Sequence, residues 1–222
     1  MSADLEALLR MTFLIVAALF PIVNPLGDAP IFLGLTQGFG SEGRKMLSRK
    51  IAINSLMLLV GSMLIGSHIL GFFGISIPVV QVGGGLVVLS TGWEMLRRRE
   101  DESEPKPGPC KPVSPSELAE QAFYPLTLPL TVGPGSISVA ITVGANRHVG
   151  SVHSWAVLVA ILLGSALLAL SVYLAYRYAE SVARVLGQTA MNVIVKLSSF
   201  ILMCIGVQIL WNGLAALLKI SH

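Results

Sequence analysis

The chain has 222 residues, 54% of them hydrophobic and only 12% charged, against about 25% charged in an ordinary soluble domain. Mean hydropathy is +0.76, and apolar runs of about 20 residues, long enough to cross a hydrocarbon core ~30 Å thick, recur along the chain. The stretches between these runs are shorter than the ~50 residues a soluble domain needs, so a soluble catalytic domain is excluded, and so is a nucleic-acid binder, because the net charge of +3 comes from loops flanking apolar spans rather than from a basic face.

The first ten residues hold Asp4 and Glu6 against a single Arg10. A secretory leader opens on a basic segment, so the N-terminus is expected to remain on the mature chain. Span 1 runs from Leu8 to Leu35 and is interrupted by Asn24-Pro25-Leu26-Gly27-Asp28-Ala29-Pro30. Span 2 is Ile51 to Phe73, and span 3 is Ile77 to Leu96 after a Gly74-Ile75-Ser76 turn. Residues 97–121 form a polar linker rich in proline and charge. Within it Ser114-Pro115-Ser116-Glu117 can start a short helix, with Ser114 as N-cap and Pro115 at N1.

Span 4 covers Ala122 to Ala145 and is interrupted by Pro129-Leu130-Thr131-Val132-Gly133-Pro134-Gly135. Span 5 is Ser154 to Tyr176 and span 6 is Met191 to Leu218. Cys110 falls in the linker and Cys204 in span 6. A bridge needs Cα atoms within about 7 Å, so both are expected as free thiols.

With six spans, the termini and loops 2–3 and 4–5 share one side, which carries Arg10, Arg147 and Lys219. The other side carries eleven of the fifteen basic residues, and Lys196 lies inside span 6. Basic loops stay in the cytoplasm, so both termini are expected outside, in the periplasm or extracellular space.

The two interrupted spans resemble each other. Pro21, Pro25 and Pro30 recur 104 residues later as Pro125, Pro129 and Pro134, and spans 3 and 6 align at an offset of 114, which brings Gly92 onto Gly206. The chain therefore reads as an all-α integral membrane protein of two three-helix repeats, 1–96 and 122–222, with broken helices 1 and 4. Three is odd, so the second repeat is expected to be inverted, a recurring design of secondary transporters.

Proline removes a backbone N–H and clashes with the preceding turn. In hydrocarbon, irregular backbone survives only where it is buried in protein or lines a cavity. The two broken segments should therefore face inward. Freed N–H groups and the positive ends of half-helices suit a carboxylate, and freed carbonyls suit an ammonium or a sodium ion. Together they fit a small zwitterion. The plainer reading is that the prolines only kink packed helices.

Asp28 is the sharpest single residue, because a carboxylate at depth is costly and usually functional. It can cap the second half-helix, and it can take up and release a proton during a transport cycle. Asn24, Thr131 and Ser136 could line the same cavity or bond their own backbone. Lys196 either snorkels to the surface or joins Asp28 in ion coupling. Glu94 reads as an interfacial ion pair and His68 as a packing residue. Gly83-Gly84-Gly85 and Ser198-Ser199 read as close-packing helix faces, which also suggest a homo-oligomer. No HExxH motif is present, and Asp28 has no second membrane carboxylate beside it in sequence, so an intramembrane protease is not expected.

The run Asn24 to Leu33, the segment Phe73-Gly74-Ile75-Ser76-Ile77-Pro78, Pro125 to Gly135, and the ending Gly206-Val207-Gln208-Ile209-Leu210-Trp211-Asn212-Gly213 resemble the signature segments of the MarC family. This family is similar in topology to LysE-type exporters. The resemblance implies a six-span bacterial inner-membrane protein. It implies transport of small neutral amino acids only for some relatives, since most lack an assigned substrate. Carried onto this chain, the expected substrate site is Asn24, Pro25, Gly27 and Asp28 facing Thr131, Gly133, Pro134, Gly135 and Ser136. Two positions depart from the family pattern: Gln81 replaces a basic residue common before the span 3 glycines, and Asp28 stands where relatives often carry Asn or Thr.

The expectation is thus a non-enzymatic secondary transporter or exporter of a small polar metabolite, driven by a proton or sodium gradient. Its partners are the lipid bilayer and a small-molecule substrate, with no resident cofactor, metal or nucleic acid. The alternative is a non-transporting membrane subunit.

Overall fold

A computed structural model describes residues 3–36, 38–97, 115–145 and 154–218. The expected cap Ser114, Cys110, and the orientation-setting Arg147 and Lys219 lie outside the described residues. Helices carry nearly all of the rest. They are α1 (Ala3–Val23), α2 (Pro25–Leu35), α3 (Ser41–Phe72), α4 (Ile77–Arg97), α5 (Pro115–Gln121), a wide-turned stretch (Ala122–Thr131), α6 (Pro134–Ala145) and α7 (Ser154–Leu217). Five helical segments among the described residues are long and apolar enough to cross a membrane, and the bent α5–α6 pair makes a sixth.

Span 1 breaks at one residue. Asn24 adopts φ 46° and ψ 50°, the left-handed region that few side chains other than Asn and Asp tolerate. Pro25 then starts α2 at a position where its missing N–H costs nothing. Backbone bonds bracket the break, from Asn24 N to Phe20 O at 2.9 Å and from Asp28 N to Asn24 O at 3.0 Å. Pro21 and Pro30, by contrast, sit inside helices.

Span 4 breaks over a longer stretch. Tyr124 and Leu128 each precede a proline and are extended, at φ −127°, ψ 124° and φ −110°, ψ 125°. The ring of a following proline clashes with a helical residue before it. Pro125 and Pro129 bring no N–H to this stretch, and two threonines bond back across its wide turns: Thr127 Oγ1 donates to Ala122 O at 2.6 Å and Thr131 Oγ1 to Leu126 O at 2.8 Å. The chain then turns by 70° into α6. The expected break at 129–135 therefore begins earlier, at Tyr124.

The connection between spans 5 and 6 also departs from expectation. Span 5 does not end at Tyr176 but runs on to Gly187, and span 6 starts at Thr189. Arg177, Glu180 and Arg184 end the apolar run, yet they are good helix formers, and the helix continues past it. Arg184 pairs with Glu180 one turn away at 3.3 Å. Arg44 of α3 donates to Glu180 at 2.7 Å and to the carbonyl of Phe39 at 3.1 Å. Gly187, at φ 73° and ψ 169°, is the only non-helical residue inside α7.

Three apolar clusters fill the interior; the smallest joins Ile22 of α1 to Val88 and Met95 of α4 and Leu202 of α7, and the two larger ones follow one another along the helices. The first holds Val23, Phe32, Leu47, Ile51, Leu126, Val172 and Tyr176. The second holds Ile15, Leu19, Leu59, Met63, Val132, Ala140 and Leu168. α1, α3, the span 4 segments and α7 each contribute to both, so the broken stretches lie where one cluster gives way to the other.

Span 3 packs on span 6 through glycines. A methyl group on Gly85 would strike the backbone of Gly206 and Leu210, and one on Gly92 that of Ser199 and Met203. Numbers fall along one helix as they rise along the other, so the two run antiparallel. Gly84 is close-packed too, against Ser138, but Gly83 has open space before it, so the expected packing role holds for two of the three glycines.

Candidate functional site

At the first break, the Asn24 side chain is the N-cap of α2, its Oδ1 accepting from Gly27 N at 3.3 Å. Asp28 therefore does not cap α2 as expected; it sits in the first turn, 4% exposed. A carboxylate there is favoured by the helix dipole. Gly27 admits the cap because any Cβ would collide with the Asn24 amide.

At the second break, Thr131 is buried and its hydroxyl lies 2.8 Å from that of Tyr176. The Thr131 proton is already given to Leu126 O, so Tyr176 is the donor of this pair. The Tyr176 ring stacks on Phe32 of α2, with centroids 4.5 Å apart and planes at 7°. It shares an apolar cluster with Val23 and Ala29, the chain neighbours of Asn24 and Asp28. Tyr176, only 2% exposed, thus ties the two broken segments together. Asn24, Asp28 and Thr131 are brought into one neighbourhood by a residue whose place in the sequence is the end of an apolar run.

Other polar groups share this level. α3 places Asn54 and Ser55 between its contributions to the two larger apolar clusters, and Asn54 Nδ2 reaches Thr127 Oγ1 at 3.4 Å. Two buried atoms here, Asn24 Nδ2 and Ser55 Oγ, make no hydrogen bond. Leaving such an atom unsatisfied costs about 1–3 kcal/mol.

The remaining expected residues divide. Ser136 is buried, whereas Pro134 is exposed and Gly133 half-buried. Gly135 packs against Val88 and Gly84 of α4, so the start of α6 is held by span 3. Pro25 is buried at the start of α2. Lys196 donates to Leu96 O at 2.6 Å, where a cation also complements the C-terminal end of α4. His68 is exposed and Cys204 is an exposed free thiol. Among the described residues no group of His, Cys, Asp and Glu could hold a metal ion.

A helical protein crossing the membrane several times, with two broken spans meeting over buried polar side chains, is the class defined by this fold. Residues 9–218 match the family model described as "MarC family integral membrane protein". The chain is similar to the inner membrane protein MarC of Salmonella typhimurium, 30% identical over 207 residues, 92% of this chain and 94% of that one. It is similar to the membrane protein YvbG of Bacillus subtilis, 32% identical over 203 residues, 91% of this chain and 93% of the relative. The MarC protein of Citrobacter koseri is 32% identical over 209 residues, covering 92% and 94%. No solved structure matches. The chain belongs to the MarC family and is a multi-pass inner-membrane protein.

Proposed function

We propose that this protein is an ion-coupled secondary transporter or exporter of a small polar metabolite, a small neutral amino acid fitting best, and that it is not an enzyme. The observation that carries this reading is the meeting of both broken spans at Tyr176, in a cluster that includes Ala29 next to the buried Asp28, with buried polar atoms of unused bonding capacity in the same layer. Asn24 Nδ2 offers a donor to a substrate carboxylate. Asp28 offers a counter-charge to an ammonium or a place for a coupling proton. Broken helices at matched positions serve this purpose in transporters.

The antiparallel packing of spans 3 and 6 supports an inverted repeat. At the 114-residue offset, Gly85 corresponds to Ser199 and Gly92 to Gly206. Their contacts exchange accordingly: Gly85 meets Gly206, and Gly92 meets Ser199. Such reciprocity is what a two-fold axis in the membrane plane would give.

The test is radiolabelled flux of glycine, alanine, serine and threonine in proteoliposomes, with and without a proton or sodium gradient. Saturable, gradient-dependent flux is expected for the native chain, and Asp28→Asn is expected to abolish it while the protein stays folded. Normal flux in that variant would remove Asp28 from the mechanism.

The sealed geometry, with Thr131 1% and Asp28 4% exposed, also suits a non-transporting subunit whose polar layer is only structural. Cysteine at Thr131 or Ser136 distinguishes the two. A transporter must open, so a polar thiol reagent should label these positions; complete protection would favour the subunit.

A further inference from the structure

A second site lies apart from the broken spans, on the outer face between α3 and the first limb of α7. It is a groove of about 540 Å³, within the ~300–1,000 Å³ typical of small-molecule sites. Its walls are ordered by chemistry. Lys45 and Arg49 stand at one end; Ile53, Leu56 and Leu170 form the other; Tyr173 lies along it. Lys45, Arg49 and Ile53 follow at i, i+4 and i+8, so one face of α3 changes from cationic to apolar. Arg49 to Leu56 spans about 10 Å along the helix axis.

The recess exists because Ala52 and Ala169 line it from the two helices. Its apolar end opens outward, with Ile53 and Leu170 about half exposed. In a membrane-spanning chain that surface meets acyl chains. The one acid, Glu42, is 3.9 Å from Lys45 with its side chain 83% exposed, a contact of little worth in water. Arg49 makes no ion pair among the described residues.

We propose that this groove binds an anionic phospholipid, with the phosphate held by Lys45 and Arg49 and one acyl chain lying along Ile53, Leu56 and Leu170. Cations at one end and an apolar floor at the other match the two halves of that molecule. Basic pockets between membrane helices recognise such head groups, and a tyrosine suits the interfacial depth. A water-soluble anion would gain nothing from the apolar half.

The experiment places a reporter in the groove. Trp93, Trp155 and Trp211 are replaced by phenylalanine and Tyr173→Trp is introduced. The protein is then reconstituted in vesicles containing either acyl-brominated phosphatidylglycerol or acyl-brominated phosphatidylcholine. The expected result is preferential quenching by the phosphatidylglycerol, falling about fivefold for each cation removed in Lys45→Gln and Arg49→Gln. Arg184→Gln, outside the groove, should leave the preference intact. Equal quenching by both lipids in the reporter protein, a preference that survives the double substitution, or an equal loss in Arg184→Gln would each overturn the proposal. Should the reporter not fold, the native chain in detergent serves instead: phosphatidylglycerol should raise its melting temperature more than phosphatidylcholine does. That difference should vanish with the Lys45→Gln/Arg49→Gln pair, and no difference in the native chain would overturn the site.

Discussion

Tyr176 joins what the two breaks separate. Its hydroxyl donates to Thr131, and its ring covers Phe32. Tyr176→Phe keeps the stack and removes the bond. It should lower stability by about 1 kcal/mol, seen as a fall in melting temperature of the detergent-solubilised protein, with no loss of helix signal. Asn24, Asp28 and Thr131 could be picked out from the sequence because polar groups beside prolines in apolar runs are conspicuous. Tyr176 could not, because it stood at the end of a hydropathy run, where tyrosines commonly mark the membrane interface. The available signal was periodicity: Val172, Tyr176 and Ala179 lie at i, i+4 and i+7 and are all buried. Of the two roles open to Asp28, the capping one falls to Asn24 for a simple reason. Asx residues favour that position, and Asn24, four residues earlier, already occupied it.

At the scale of elements, proline and glycine made the architecture readable. The breaks of spans 1 and 4 follow from Asn24-Pro25, Tyr124-Pro125 and Leu128-Pro129, where the pre-proline position resists helix. The extent of the second break is not readable, since threonine hydroxyls bonding carbonyls five residues back accompany its wide turns, and hydropathy carries no sign of them. The continuation of span 5 past Tyr176 was hidden because hydropathy reports the membrane, whereas helix formation does not stop at its surface. The glycine contacts of spans 3 and 6 lead to a direct expectation. Gly85→Val or Gly92→Val drives a side chain into opposing backbone and should cost about 1–3 kcal/mol or more. Gly83→Ala, with open space before it, should be neutral or slightly stabilising. Thermal melting of the three variants in one detergent decides this, and equal melting temperatures would mean that the close approach carries no energy.

For the whole molecule, the charge asymmetry of the loops makes an expectation about sidedness. In a background lacking Cys110 and Cys204, a cysteine at Glu42 or Glu180 should be labelled by a membrane-impermeant thiol reagent only after the cell is opened. Labelling in intact cells would reverse the orientation. The joint between spans 5 and 6 bears on motion. Gly187 combines φ 73° with ψ 169°, a region open essentially to glycine alone. Gly187→Ala should therefore cost about 1–3 kcal/mol, again read by melting. A loop of many residues would absorb any relative movement of its helices as slack. Here one residue does the joining, so the angle between the two limbs of α7 is a function of two torsions. Tyr176 rides on one limb and the glycines facing span 3 on the other. Any tilt of the polar layer relative to span 3 must either turn those two torsions or unwind helix beside them, which gives the molecule a pivot with countable degrees of freedom.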